Sequence, residues 1–345
     1  MLAAETKAVV LPAPARPWTR SWKQIVEPVE PFLQAVALQL AEQVRTFDPE
    51  IASYAQYALS NQGKQLRPAL VALSAGAVGK PNDGLVTVAV IVEMVHLATL
   101  VHDDVMDEAV MRRQQPTLAA TWGNQISVLL GDCLFAHALK LAASFPTPEV
   151  CRAVSAATKT VCSGEILQTH RQRRCQLSRG EYFKVLEMKT AELFALSCDL
   201  GACLCRAGAR DRNALRQFGL ALGTAYQVYD DCLDLFGSEA LVGKSLGTDL
   251  TNGKLTLPVL VALERSRTAD RARLEKWIRQ WDGRNLPRMI ELLEKYDALD
   301  ESRSVIHQFL ELARQHLAPL PETESRQALI ALTGFLEQQT GALGV

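Results

Sequence analysis

Apolar positions along this chain recur at intervals of three and four rather than two. Val29, Phe32, Leu33, Val36, Leu38 and Leu40 form one such stripe, and Leu215, Phe218, Leu222, Ala225 and Val228 another. That spacing gathers side chains on one face of an α-helix. Alternating runs closed by Asn-Gly or Asp-Gly, the usual mark of β-hairpins, are not found. Breakers stand between the stripes at Gly79-Lys80-Pro81, Phe145-Pro146-Thr147-Pro148, Gly208, Gly237 and Ala318-Pro319-Leu320-Pro321. They predict an all-α fold of roughly ten to thirteen helices joined by short loops. No charge-rich linker divides the chain, so residues 26–345 are expected to form one large helical domain. Residues 1–25, with Pro12, Pro14 and Pro17, read as a disordered or loosely attached leader.

One stretch is apolar on every side. Residues 85–101 fall short of the roughly 20 residues of a membrane span, are interrupted by Glu93 and His96, and run straight into His102-Asp103-Asp104. They read as the central helix of a soluble bundle, and no transmembrane segment is expected. Hydrophobic residues make up 48% of the chain and charged residues 22%, enough for a sizeable core. A net charge of −1 gives no electrostatic footprint for nucleic acid, so any anion must be held by local clusters. The eight cysteines are scattered, and Cys198, Cys203 and Cys205 lack the paired spacing of a zinc site. They read as reduced thiols of a cytoplasmic protein.

Two acidic clusters change the picture from a bundle to an enzyme. They are Asp103-Asp104-Val105-Met106-Asp107 and Asp230-Asp231-Cys232-Leu233-Asp234. Residues four apart share a helix face, so Asp103 projects with Asp107 and Asp230 with Asp234. Each cluster falls where its helix should end, and carboxylates there oppose the helix dipole and repel one another. With 16 Asp in the chain, about 0.03 matches to this pattern are expected by chance. Folding does not ask for these acids; a hard cation such as Mg2+, held by carboxylates together with phosphate oxygens and water, does.

Basic residues stand close by. Gly63-Lys64-Gln65-Leu66-Arg67-Pro68 opens a helix, Arg112-Arg113 follow the first cluster, Lys189 lies mid-helix, and Lys244 and Lys254 flank Gly247-Thr248-Asp249. Guanidinium forks and lysine ammoniums are the usual partners of phosphate oxygens. His96 lies two turns before Asp103 on the same helix face.

These blocks, with Gly131-Asp132, Gly164-Glu165-x-x-Gln168, Lys189-Thr190-Ala191, Tyr226-Gln227 and Gly253-Lys254-x-Thr256-Leu257-Pro258, resemble the trans-type polyprenyl diphosphate synthases. The resemblance covers about residue 30 to 335. It implies the isoprenoid synthase fold, a helical bundle around a deep central cavity, and a homodimer. It also implies condensation of isopentenyl diphosphate with an allylic diphosphate. By that resemblance Asp103, Asp107 and Asp230 hold three Mg2+ ions (Mn2+ being a substitute), with Asp104, Asp231 and Asp234 in support. Arg112, Lys189, Lys244 and Lys254 contact the allylic diphosphate, while Lys64, Arg67, His96 and Arg113 bind isopentenyl diphosphate. Thr190 and Gln227 line the reacting carbons. Transient membrane contact would serve release of a lipid product.

In short-product relatives, aromatics four or five positions before the first Asp close the pocket. Here those positions are Thr99 and Ala98, followed by Val95, Met94 and Ile91. This implies a long product, octaprenyl- or solanesyl-like, rather than farnesyl or geranylgeranyl diphosphate. Two departures are Gln62 and Gln65 before Leu66-Arg67-Pro68, and a C-terminal Glu337-Gln338-Gln339-Thr340 without basic residues. A class I terpene cyclase would carry a different second motif, a non-catalytic subunit would lose one cluster, and a structural metal-binding bundle would need neither basic group.

Overall fold

The computed structural model describes residues 19–60, 63–238 and 246–344. Helices α1 (Thr19–Val26), α2 (Glu30–Arg45), α3 (Pro49–Ser60), α4 (Leu66–Val78) and α5 (Gly84–Met106) come first. A small hairpin follows, β1 (Met111–Arg112) paired antiparallel with β2 (Gln115–Pro116). Next are α6 (Leu118–Trp122), α7 (Asn124–Ala143), α8 (Glu149–His170), α9 (Arg179–Leu186), α10 (Glu192–Leu204) and α11 (Ala209–Phe236). The last group is α12 (Thr248–Thr251), α13 (Leu257–Arg265), α14 (Thr268–Arg279), α15 (Leu286–Lys295), α16 (Ala298–Leu317) and α17 (Glu324–Gly341). The all-α expectation holds. The helices outnumber those predicted, because short ones such as α6 and α12 stand alone between the long ones.

α5 is the central helix, packed against α2, α4, α7 and α10, with Ile91 and Met94 fully buried. Both α5 and α7 are long and apolar enough to cross a membrane, but 67% of the relevant window of α5 is buried against 33% for α7. α5 is therefore a core helix, whereas α7 leaves an apolar face open.

On the other side, α11 lies between α10 and α16. A Cβ on Gly219 would stand 2.7 Å from the Ala195 Cα, and one on Gly223 would stand 2.6 Å from the Ala191 Cα. Only glycine permits so close an approach, and it draws the second acidic cluster toward the Lys189-Thr190 turn. A capping box starts α9: Ser178 accepts the Glu181 N–H while the Glu181 carboxylate accepts the Ser178 N–H.

Part of the expected leader is structured. Residues 19–26 form α1, in which Val26 is buried and Trp22 packs at 6.4 Å against Phe335. An apolar face seeking cover overrides the proline-rich composition just before it. Residues 1–18, Gln62 and Lys244 lie outside the described residues.

Candidate active site

The ends of α5 and α11, the β-hairpin and the loop around α12 surround a cavity of about 1660 Å³. It is lined by Asp103, Asp107, Asp230, Asp231, Lys189, Thr190, Gln227, Lys254, Arg112, Arg113, Lys64, Arg67, His96 and Thr99. Residues 190 positions apart in the chain thus meet around one space.

The first cluster divides its labour. Asp107 accepts both hydrogen bonds of Lys254 Nζ, each at 2.7 Å. Asp103 lies 3.8 Å from Lys189 Nζ. Asp104 is buried, does not line the cavity and accepts from Arg112 Nε at 2.7 Å. Burial pushes its carboxyl up, Arg112 opposes this, and Asp103 and Asp107 add to it.

The second cluster divides likewise. Asp231 is buried and accepts from Tyr182 Oη at 2.6 Å and Gln227 Nε2 at 2.8 Å. Asp234 is buried and accepts the backbone N–H groups of Thr248 at 3.2 Å and Asp249 at 3.1 Å, anchoring the α12 turn. Asp104, Asp231 and Asp234 thus each accept from protein donors, as Asp107 does from Lys254. Asp104 is turned away from the cavity because successive helical residues are turned by about 100°, whereas Asp231 lines it.

Lys189 sits in a π-helical turn, Glu187–Ala191, between α9 and α10. Such bulges re-aim side chains that a regular helix would direct elsewhere. Its ammonium meets Glu165 Oε2 at 2.5 Å and Gln168 Oε1 at 2.9 Å. A Cβ on Gly164 would lie 2.8 Å from the Lys189 backbone nitrogen, so glycine lets α8 reach this turn. Burial alone would lower the Lys189 pKa, but Asp103 and Glu165 hold it above the usual lysine range. Burial raises Glu165, Lys189 opposes this, and Asp103 adds to it.

A second basic group lies deeper. Arg67 Nε is buried without a hydrogen-bond partner, and the guanidinium stands 5.0 Å from the Phe194 ring centroid. Burial lowers its pKa, with Glu93 opposing. Arg113 (φ 50°) and Gln114 (φ 67°) make the hairpin turn in the left-handed region, a conformation normally given to Asn-Gly. The Arg113 guanidinium lies against Gly63, where a Cβ would stand 2.5 Å from it. His96 is held well below the usual imidazole range by burial, then by Arg67, Arg113 and Arg112.

Of the expected chain-length residues, Thr99 lines the cavity, while Ala98, Val95, Met94 and Ile91 are buried among the core helices. Ala98 and Met94 lie off the Thr99–Asp103 face, and the space below Thr99 at Val95 is filled by packing. The apolar wall is made instead by Leu97, Leu100, Val128, Phe135, Val161 and Leu193. The sequence also gave no role to Glu165, Gln168, Tyr182 or Phe135. A signal existed for the first two, an i, i+3 polar pair on an otherwise bland helix. For Tyr182 and Phe135 none did.

A model of the family described as polyprenyl synthetase matches residues 48–293. The chain is 32% identical over 308 residues to an octaprenyl diphosphate synthase of Escherichia coli (strain K12), covering 89% of this chain and 95% of that one. It is 34% identical over 304 residues to heptaprenyl diphosphate synthase component 2 of Bacillus subtilis (strain 168), covering 88% and 87%. Its fold matches a polyprenyl synthase of Caulobacter crescentus CB15 solved with calcium and isoprenyl diphosphate. The TM-score is 0.88 at 32% identity, covering 92% of this chain and 97% of that one. The chain belongs to the polyprenyl synthetase family, as a trans-prenyltransferring enzyme of the long-chain type.

Proposed function

We propose that this enzyme adds isopentenyl diphosphate head-to-tail onto an allylic diphosphate at the site just described, giving an octaprenyl- or solanesyl-length diphosphate. The observation that carries this reading is the division of one cavity into two anion-binding ends. One group pairs Asp103 with Lys189 and Asp107 with Lys254; the other gathers Arg67, Arg113 and His96 around the buried Glu93.

The acidic end suits a divalent metal by its donor set. Carboxylate oxygens match Mg2+. Among the described residues no group of three or more candidate ligands is gathered tightly enough to cage an ion. Asp103, Asp107 and Asp230 would hold it, and three Mg2+ ions is the proposed number. When bound, the metal neutralises charge on the departing diphosphate.

The chain's own residues do the rest. Lys189, Lys254, Arg112 and Lys244 counter the diphosphate charge as the allylic C–O bond breaks. Thr190 and Gln227 present oxygens to the allylic carbons. Lys64, Arg67, Arg113 and His96 position isopentenyl diphosphate so that its double bond attacks the cation. The apolar wall from Leu97 to Leu193 excludes water, which would quench that cation. The proton lost at the end goes to the released diphosphate, so no side-chain base is required. We propose that the growing tail runs between α5, α7 and α8 past Phe135 rather than down α5 to Ile91.

Equilibrium binding tests the two-ended site. Chelation of divalent metal should abolish binding of an unreactive allylic diphosphate analogue while isopentenyl diphosphate still binds. Equal loss of both would refute the division. Because His96 is neutral at pH 7, its part is that of a neutral donor. His96→Gln should keep the isopentenyl diphosphate KM within about threefold, a change worth less than one hydrogen bond; a rise of tenfold or more would show that an imidazolium is needed.

The open face of α7, with Leu129 exposed, is proposed to dock a second copy of the chain. Light scattering of the purified protein should give twice the chain mass. The name of the Bacillus subtilis relative, a component, offers the alternative of an unlike partner, and a monomeric mass would favour it.

A further inference from the structure

We propose that Tyr182 is a positioning residue for prenyl transfer, acting through Asp231 and Gln227 to fix the direction in which the Thr190 hydroxyl points. This deepens the proposed function and rests on it. Four groups form an unbroken chain of hydrogen bonds. Tyr182 Oη donates to Asp231 Oδ2 at 2.6 Å, Gln227 Nε2 donates to Asp231 Oδ1 at 2.8 Å, and Thr190 Oγ1 donates to Gln227 Oε1 at 2.8 Å.

The chain has only one direction. Tyr182 donates its single hydrogen to Asp231. The Asp231 oxygens accept from both sides. Gln227 must therefore turn its NH2 toward Asp231 and its carbonyl toward Thr190. The one hydrogen of Thr190 is then spent on Gln227, which leaves its lone pairs for the cavity that Thr190 and Gln227 line. Oxygen lone pairs fixed beside a developing allylic cation stabilise it, whereas a hydroxyl hydrogen aimed there would oppose it.

Burial keeps water from substituting for the Tyr182–Asp231 link, since Tyr182 is 4% and Asp231 5% exposed. Packing alone does not ask for the phenol: the ring sits edge-on to Phe183 at 5.1 Å, a contact Phe would also make. The capping box at Ser178 and Glu181 fixes the start of the helix that carries Tyr182.

Steady-state kinetics of the full chain with isopentenyl diphosphate, an allylic diphosphate and Mg2+ tests this. Tyr182→Phe should lower kcat about tenfold, the worth of one hydrogen bond, with both KM values unchanged. Asp231→Asn, which can accept on only one side of the chain, should lower kcat at least as much. Thr190→Val should also be slow, and Tyr182→Phe/Thr190→Val no slower than Thr190→Val alone, because both changes act on one hydroxyl. An unchanged kcat for Tyr182→Phe in an elongating preparation, or losses that multiply in the double variant, overturns this inference alone. A wild-type chain that elongates no starter removes the proposed function and this inference with it.

Discussion

Asp103→Asn is expected to lower kcat by about a thousandfold or more while leaving thermal stability nearly unchanged. The loss follows from the place of the carboxylate: it lines the cavity opposite Lys189, 3.8 Å away, where diphosphate charge must be balanced at the moment of bond breaking. Asparagine keeps the shape and removes the anionic oxygen. Stability behaves differently because Asp103 lies in the last turn of α5 beside Asp104 and Asp107. Removing one of three neighbouring acids from a helix C-terminus relieves repulsion and the unfavourable dipole term, offsetting the lost contact with Lys189 to within about 0.5 kcal/mol. Kinetics and thermal melts on the same preparation check both halves. A fall in Tm with little loss of activity would mark Asp103 as structural.

Lys189→Met is expected to act on both properties. Activity should fall about a hundredfold, as for loss of one preorganised charge at a reacting centre. Stability should fall by about 3 kcal/mol, because Glu165 is left mostly buried with no cation at 2.5 Å. The pH dependence separates the two effects. Burial already holds Glu165 above the usual carboxylate range, and loss of the ammonium raises it further. A carboxyl whose folded pKa exceeds its unfolded one favours folding below the unfolded value and loses that contribution as pH rises through the folded one. The deficit should therefore narrow in acid and widen toward neutral pH. Adding Glu165→Gln should restore stability without restoring activity, since no buried charge then lacks a partner. If the double variant melts as low as Lys189→Met, the Lys189–Glu165 pair is not the source of the loss.

The helical fold and the two acidic faces were legible because both are periodic. Three- and four-residue spacing marks helix faces, and Asp103 and Asp107 announce their shared direction by their separation alone. What the spacing could not show was which acids would be consumed inside the protein. Asp234 anchors a turn reached through Gly247 at φ 72°, and Asp231 answers a tyrosine 49 residues away. Those bonds depend on tertiary placement. The hairpin was missed because its turn uses Arg113 and Gln114 in a conformation their side chains disfavour. Val95 and Ile91, expected along the channel from their position on a helix face, are buried against neighbouring helices. The π-helical turn at Lys189 has no periodic signature at all, although Gly164 and Glu165 stand where they must to receive it.

The most direct measurement is product sizing after incubation of the purified chain with isopentenyl diphosphate, Mg2+ and allylic starters of several lengths. The expected result is metal-dependent elongation to an octaprenyl- or solanesyl-length product. No elongation from any starter would contradict the assignment of the reaction, and a ladder stopping at the farnesyl length would contradict the long product.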